Sequence, residues 1–413
     1  MSSVRKVMIF TSSKLASLTI CLFFVSLLFG YNFIYSVMTL IIGSALVLYY
    51  WKEADREARI LGRHDVALAW FIVSLIVSSL RQGNIYSNIA VYSSFVLGFV
   101  LYILITRFIT ELEELVAIVF SISIVAVFVS VSIIYGYYFV EKEPSLLVGL
   151  IPVRLLVVPN DVLLNSILSP LFIGLLLSST PVMHKFLAGA IGVITIMTFV
   201  LLRSRSGLLA AAFGVTIFFV VFDVRKILWL IFTCIVGFLI IDQLEGGLLW
   251  NKLLLFNKFD CDPRLPLWYS SFNIWLKEPF FGGGLTHFLD NYRTYLSDPT
   301  LPSCSLVDDR ITPWPHNLML ETLVNQGLFG AFPLVWLYFS CVGSLLSICR
   351  HCETNAKPLA AGLLGCFAAF GVGALIELSF MRFWVVIVFI TLTGLSSALQ
   401  SIVKSEEGAR KND

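Results

Sequence analysis

The chain has 413 residues, 58% of them hydrophobic and only 13% charged, with a mean hydropathy of +0.91. Soluble proteins of this length carry about a quarter charged residues, so a water-soluble globular domain is excluded. The formal net charge of +2 says little about partners until the charges are placed, and no nucleic acid is expected among them.

Apolar stretches recur from Lys14 to Val403. Crossing about 30 Å of hydrocarbon takes ~20 apolar residues. In chain order the stretches predict spans near 15–30, 32–50, 66–80, 86–105, 115–139, 162–179, 185–202, 207–222, 226–241, 317–347, 358–378 and 383–403. The expected fold is an all-α polytopic membrane protein with about twelve transmembrane helices. Arg5, Lys6 and Lys14 before an apolar run imitate a signal peptide, but a second apolar segment follows at once. No small-residue cleavage site separates them, so the run is expected to be an uncleaved first span.

Orientation follows from Lys and Arg in the short loops. With the N-terminus inside, sixteen fall in inner segments and six in short outer loops: Arg81, Lys142, Arg154, Arg203, Arg205 and Arg382. That bias predicts both termini on the cytoplasmic side of the membrane, in agreement with an even number of spans. Residues 1–241 then hold spans one to nine, 242–315 form a large loop on the outer side, and 316–413 hold the last three spans and a tail.

The loop is too polar to span and too long for a passive turn. Trp268, Phe272 and Trp275 recur three or four apart between Arg264 and Lys277, which predicts a helix with one aromatic face. Such a face suits the lipid–water boundary, and equally suits packing on protein. Cys261 and Cys304 both lie in the loop and could close it as a disulfide in an oxidising compartment. Cys349-x-x-Cys352 has no second ligand pair, so no metal is expected.

Three features of the outer side carry chemistry. Arginines collect there against the positive-inside bias: Arg203 and Arg205 at the turn between spans seven and eight, Arg264, Arg293 and Arg310 in the loop, and Arg81, Arg154 and Arg382 in other turns. A guanidinium fork matches phosphate oxygens, so an anionic ligand at headgroup level is implied. Snorkelling, or pairing with local acids such as Glu377 and Asp308, is the alternative. Second, Pro313-Trp-Pro-His316-Asn317 leads into span ten. With Pro315 at the first helical position, His316 would sit in the first turn, where the helix dipole favours the neutral imidazole that a general base requires. Asn317 and Glu321 lie four apart, so Glu321 would hold the Asn317 amide. Third, Gly282-Gly283-Gly284 could offer bare N–H donors to an anion, or simply stop a helix. No nucleotide-binding loop is present, so the energy for a reaction would arrive in the substrate.

Arg-Ser-Arg205-Ser-Gly-Leu-Leu, then Arg264…Trp268…Lys277-Glu-Pro-Phe-Phe-Gly-Gly-Gly, then His316-Asn317…Glu321…Gly327-Leu-Phe-Gly330 resemble the O-antigen ligase/polymerase superfamily. Twelve spans with a large loop between nine and ten resemble its ligase branch. The resemblance implies inverting, metal-independent glycosyl transfer without a cofactor. The donor would be an undecaprenyl-pyrophosphate-linked glycan, and the acceptor a sugar hydroxyl of lipid A–core. Arg205 and Arg264 would bind the pyrophosphate and His316 would orient or deprotonate the acceptor. Arg203, Arg310 and Arg382, with Asn317 and Glu321, are the remaining substrate-binding candidates. An O-antigen polymerase would use the same donor with a lipid-linked glycan as acceptor. The protein-glycosylating branch ranks third, because the tail from Lys404 is short. A lipid-linked sugar flippase is the alternative of another class; it calls for mid-membrane charges, internal repeats and discontinuous helices.

Overall fold

A computed structural model describes residues 2–27, 33–54, 62–82, 89–139, 162–178, 182–202, 205–225, 262–296, 312–352 and 356–412. Among these residues the secondary structure is helical throughout, and the protein is an all-α polytopic membrane protein. Its helices are α1 (Ser2–Ser26), α2 (Phe33–Ala54), α3 (Arg63–Gln82), α4 (Ile89–Phe108), α5 (Leu112–Phe139), α6 (Val162–Leu177) and α7 (Val182–Leu202). They continue with α8 (Arg205–Phe222), α9 (Arg264–Lys277), α10 (His287–Asn291), α11 (Arg293–Leu296), α12 (Leu318–His351), α13 (Ala356–Ile376) and α14 (Phe383–Asn412). Eleven of the predicted spans fall on these helices, and the ninth, 226–241, lies outside the described residues. Among the described residues five helices are long and apolar enough to cross a membrane by themselves: α3, α4, α12, α13 and α14.

Helix packing in a bilayer cannot rely on expelling water, so close backbone approach matters more than side-chain bulk. The contact of α6, α8 and α13 is built this way. A Cβ on Gly214 of α8 would stand 2.6 Å from the Gly365 carbonyl of α13, and one on Gly365 would stand 2.5 Å from Pro170 of α6. Aromatic rings fill the wider gap between α3, α4 and α14, where Phe71, Phe95, Phe380 and Phe389 meet in tilted and edge-on pairs.

The two ends of the bundle differ. At one end Lys14 pairs with Glu111 (3.0 Å) and Glu114 (3.5 Å), and Arg107 with Asp65 (3.5 Å). At the other end sits α9, tied to α3 by Arg81–Glu278 at 3.2 Å. This second end is called the loop face below.

α9 forms where the sequence predicts a helix. Asp262 accepts the Arg264 backbone N–H (2.9 Å) at its start, and Pro279 follows its end. The helix buries Leu267, Ser270, Ser271 and Ile274 on the protein, and Leu267 and Ile274 pack with Phe288, Tyr292 and Val324. Phe272 and Leu276 on its far side, with Phe280 and Phe281 beyond it, stay exposed. Trp275 turns inward enough to donate to the Pro279 carbonyl (3.1 Å).

The loop is joined to α12 by a splice. α12 is broken at Gly327, whose φ of 65° and ψ of −162° leave the helical region. Residues 279–284 enter the break. Gly283 and Gly284 N–H donate to Val324 and Asn325 carbonyls (both 3.0 Å), while Leu328 and Phe329 N–H donate to Pro279 (2.8 Å) and Phe280 (2.9 Å). Ser78 of α3 donates to the Asn325 carbonyl and Ser74 to the Gln326 side chain (2.7 Å). Every freed backbone group named here thus gains a partner, as a low-dielectric setting demands. This corrects the anion reading of the triple glycine: the Gly282 N–H bonds Glu278 (3.1 Å) and the next two bond α12.

Gly327 is both left-handed and crowded, since a Cβ there would lie 2.4 Å from the Phe280 carbonyl. Gly327→Val should lower the stability of the detergent-purified protein by roughly 1–3 kcal/mol, read from its thermal melt. Gly343→Ala is the control, because nothing lies within 4 Å of a Cβ there, and it should leave the melt unchanged.

Candidate active site on the loop face

Glu377 is the first residue after α13. Its side chain is only 4% exposed, and a carboxylate so buried requires charged or hydrogen-bonding partners. It has two. Arg264 at the start of α9 donates from Nη2 to Oε2 at 2.7 Å, and His316 Nδ1 lies 2.9 Å from Oε1. Arg264 also reaches Asp262 through Nη1 (3.4 Å). One carboxylate therefore holds a guanidinium and an imidazole side by side, although they lie 113 and 61 positions away in the sequence.

Burial pushes the Glu377 carboxyl up, but the hydrogen bonds and charges of His316 and Arg264 outweigh it. The net result holds Glu377 below its ordinary value of 4.5. It therefore stays ionised and accepts from both neighbours. With Nδ1–H donating to Glu377, a neutral His316 keeps its free lone pair on Nε2.

His316 does not occupy the first turn of the helix, as the proline pattern predicts. Asn317 is the N-cap: its side chain accepts the Leu320 N–H (3.0 Å), and its amide donates to the Leu375 carbonyl (3.0 Å). An Asn cap satisfies an otherwise orphaned donor, and here that outweighs the preference of proline for the first helical position. His316 is left before the helix with φ 54°, the one non-glycine residue with positive φ among those described. A left-handed L-residue costs roughly 1–2 kcal/mol, so neighbouring contacts must impose it.

Glu321 does not hold the Asn317 amide either. It is buried and accepts the Phe380 N–H (3.0 Å), which ties α12 to the link between α13 and α14. That link also carries Glu377 and Arg382, so Glu321 positions the site from behind. Arg382 lies 4.9 Å from the centre of the Trp314 ring, and Trp314 stands edge-on to His316 with ring centres 6.2 Å apart. The Trp314 indole N–H is buried and has no acceptor among the described residues. Upstream, Tyr292 Oη accepts the Thr312 N–H (3.1 Å) and fixes the chain entering Pro313.

Of the residues singled out from the sequence, Arg264, His316, Asn317, Glu321 and Arg382 thus gather at one end of the bundle. Arg205 begins α8, and Arg203, Arg310, Asp308, Cys261 and Cys304 lie outside the described residues. Glu377 is the member that sequence reasoning underrated, naming it only as an acid able to neutralise an arginine. It does pair with Arg264, so that reading is partly realised, but it binds His316 as well. The available signal was a lone carboxylate at the end of an apolar span, five residues before Arg382.

Two outcomes are expected of this geometry. Because Glu377 titrates below 4.5 when folded, its stabilisation is complete above that pH and is lost as pH falls through the lower folded value. In thermal melts taken from neutral pH downward, the wild type should lose more stability than Glu377→Gln, which has no proton to gain. In addition, His316→Gly should melt higher than His316→Ala by roughly 1–2 kcal/mol. Both lack the imidazole, and only alanine keeps the left-handed strain.

Residues 190–335 match the family model described as O-antigen ligase. That segment runs from within α7 into α12 and contains Arg205, Arg264 and His316, while Glu377 and Arg382 lie beyond it. No curated protein matches the sequence. Over that segment the chain is similar to the O-antigen ligase domain, which supports a place in the O-antigen ligase/polymerase superfamily.

Proposed function

We propose that the protein is an O-antigen ligase of the bacterial inner membrane. It transfers a glycan from undecaprenyl pyrophosphate to a sugar hydroxyl of lipid A–core on the periplasmic side, with inversion and without a metal. The observation that carries this reading is the Arg264–Glu377–His316 array: a cation and a base locked to one buried carboxylate, at a bundle end where a lipid diphosphate would present itself.

The reaction breaks the anomeric C–O bond to the pyrophosphate and forms one to the acceptor oxygen. Negative charge grows on the leaving diphosphate, and fixed cations aimed at it lower the barrier. Arg264 uses one N–H on Glu377 and one on Asp262, which leaves further donors of its fork for phosphate oxygens. Arg382, on the Trp314 face, and Arg205, at the start of α8, are the additional cations. His316 Nε2 accepts the proton of the attacking hydroxyl, and the Glu377 carboxylate stabilises the imidazolium that results. Asn317, through its cap and its bond to Leu375, fixes the peptide next to that imidazole. The excess of basic residues in the short inner loops supports a cytoplasmic location for both termini.

Among the described residues, the broken helix α12 is a feature that a flippase would share. Its break is filled by loop backbone and serines rather than by ionisable side chains, which favours the transferase.

The test is an envelope glycolipid profile of a strain lacking the gene, complemented with variants. Bare core with polymer accumulating on undecaprenyl pyrophosphate is expected. Core bearing a single repeat unit would make the protein a polymerase, and retention of lipid-linked glycan on the inner leaflet would make it a flippase. His316→Ala should lower transfer by about 10²–10⁴-fold and Arg264→Ala by about 10²–10³-fold, with the protein still inserted at wild-type levels. Full transfer by either variant defeats the reading.

A further inference from the structure

The end of the bundle opposite the loop face has a cavity of about 460 Å³ between α3, α4 and α14. Small-ligand sites typically measure ~300–1,000 Å³. Among the described residues its charged lining is unbalanced: Arg63, Arg107 and Lys404 face a single carboxylate, Asp65. That acid is already satisfied. Its Oδ1 accepts from Tyr102 Oη (2.7 Å), and its Oδ2 from the Gly62 N–H (2.7 Å) and Arg107 (3.5 Å). The acid therefore secures the Arg107 fork in the wall, while the exposed Arg63 and Lys404 contribute positive charge beyond what one carboxylate offsets.

The third wall is built for a polar occupant as well. Most of α14 is an apolar, deeply buried helix, yet Ser397, Gln400, Ser401 and Lys404 form a polar stripe at spacings of three and four, and this stripe lines the cavity. The inner limit is closed by His64, which is 4% exposed and hydrogen-bonds Ser344 of α12 (3.3 Å). Arg63 opens one apolar span and Lys404 lies in the last turns of another, so the cavity sits where headgroups lie rather than among acyl chains. Basic residues that merely obey the positive-inside bias snorkel outward and need neither a cavity nor a polar stripe behind them.

We propose that this cavity binds a phosphate group, carried by the headgroup of an anionic phospholipid in the leaflet opposite the active site. Arg63, Lys404 and the Arg107 fork take the phosphate oxygens, and Gln400 donates to the headgroup. Charge-assisted hydrogen bonds from three directions account for selection over zwitterionic lipid.

The test uses the full chain, purified in neutral detergent and exposed to phosphatidylglycerol or phosphatidylcholine, with retained lipid counted by native mass spectrometry. The wild type should hold one phosphatidylglycerol that Arg63→Gln/Lys404→Gln loses, with occupancy at least about tenfold lower. The charge-preserving Arg63→Lys/Lys404→Arg pair should keep it, and Gln400→Leu, which leaves every charge in place, should weaken it. In a second arm inorganic phosphate replaces the lipid. Thermal protection of the wild type that the charge-removed variant lacks assigns the site to a soluble anion. No such protection, alongside retained phosphatidylglycerol, assigns it to the lipid. Equal phosphatidylglycerol retention by the wild type and the charge-removed variant overturns the proposal, as does wild-type retention by Gln400→Leu together with loss by the charge-preserving pair.

Discussion

A carboxylate taken out of water must be paired or protonated, and the geometry of the loop face follows from how Glu377 meets that demand. Its two oxygens bind groups from two other segments, the start of α9 and the residue before the Asn317 cap of α12. Neither partner could be placed without the other, because each satisfies one side of the same buried charge. Such an ion pair contributes little net stability, since desolvation offsets attraction. What it does fix is distance. While both bonds persist, the bonded nitrogens of Arg264 and His316 stay within the span of one carboxylate and its two hydrogen bonds.

Holding Glu377 still is a separate problem, and two anchors solve it. The link that carries Glu377 is bonded at Phe380 to Glu321, a buried acid four residues into α12. The loop that carries Arg264 is bonded to the same helix by the splice at Gly327. α12 is therefore the common reference: its first turns position His316 by the Asn317 cap, the link by Glu321, and the loop by its break. A substitution at Gly327 is far in sequence from Arg264 yet acts on where α9 lies. A helix break is an expensive way to dock a loop, and its advantage is backbone bonding in both directions, which leaves little freedom to slide.

The sequence made the spans legible because apolar length is a one-dimensional property. It made α9 legible because aromatic residues at helical spacing survive any tertiary context. Arg264, His316 and Arg382 were legible as residue types out of place. Pairings were not. Local rules put His316 inside the helix and Glu321 on Asn317; Asn317 caps the helix instead, and Glu321 bonds a link 59 residues away. The triple glycine failed as an anion cradle for the same reason, since its donors answer to α12, which no local window contains. Glu377 was hard to rank because a carboxylate near arginines reads as neutralisation until the second oxygen is seen to hold a histidine.

Both ends of the bundle hold arginine beside carboxylate, and the contrast between them matches the binding role proposed for one and the catalytic role proposed for the other. At the opposite end Asp65 secures one arginine and leaves a cationic excess, which suits an anion that only needs to be held. At the loop face Arg264 is gripped by two carboxylates, so its own charge is more than matched. That would be a poor design for binding an anion tightly. It is a sound one for a group that must be aimed before charge appears. In the proposed transfer, a guanidinium already oriented would not need to reorganise as a diphosphate departs, and the acids beside it would disfavour an anion bound too well in the ground state. Stabilisation concentrated on the departing charge, rather than on the resting substrate, raises the rate and not merely the affinity.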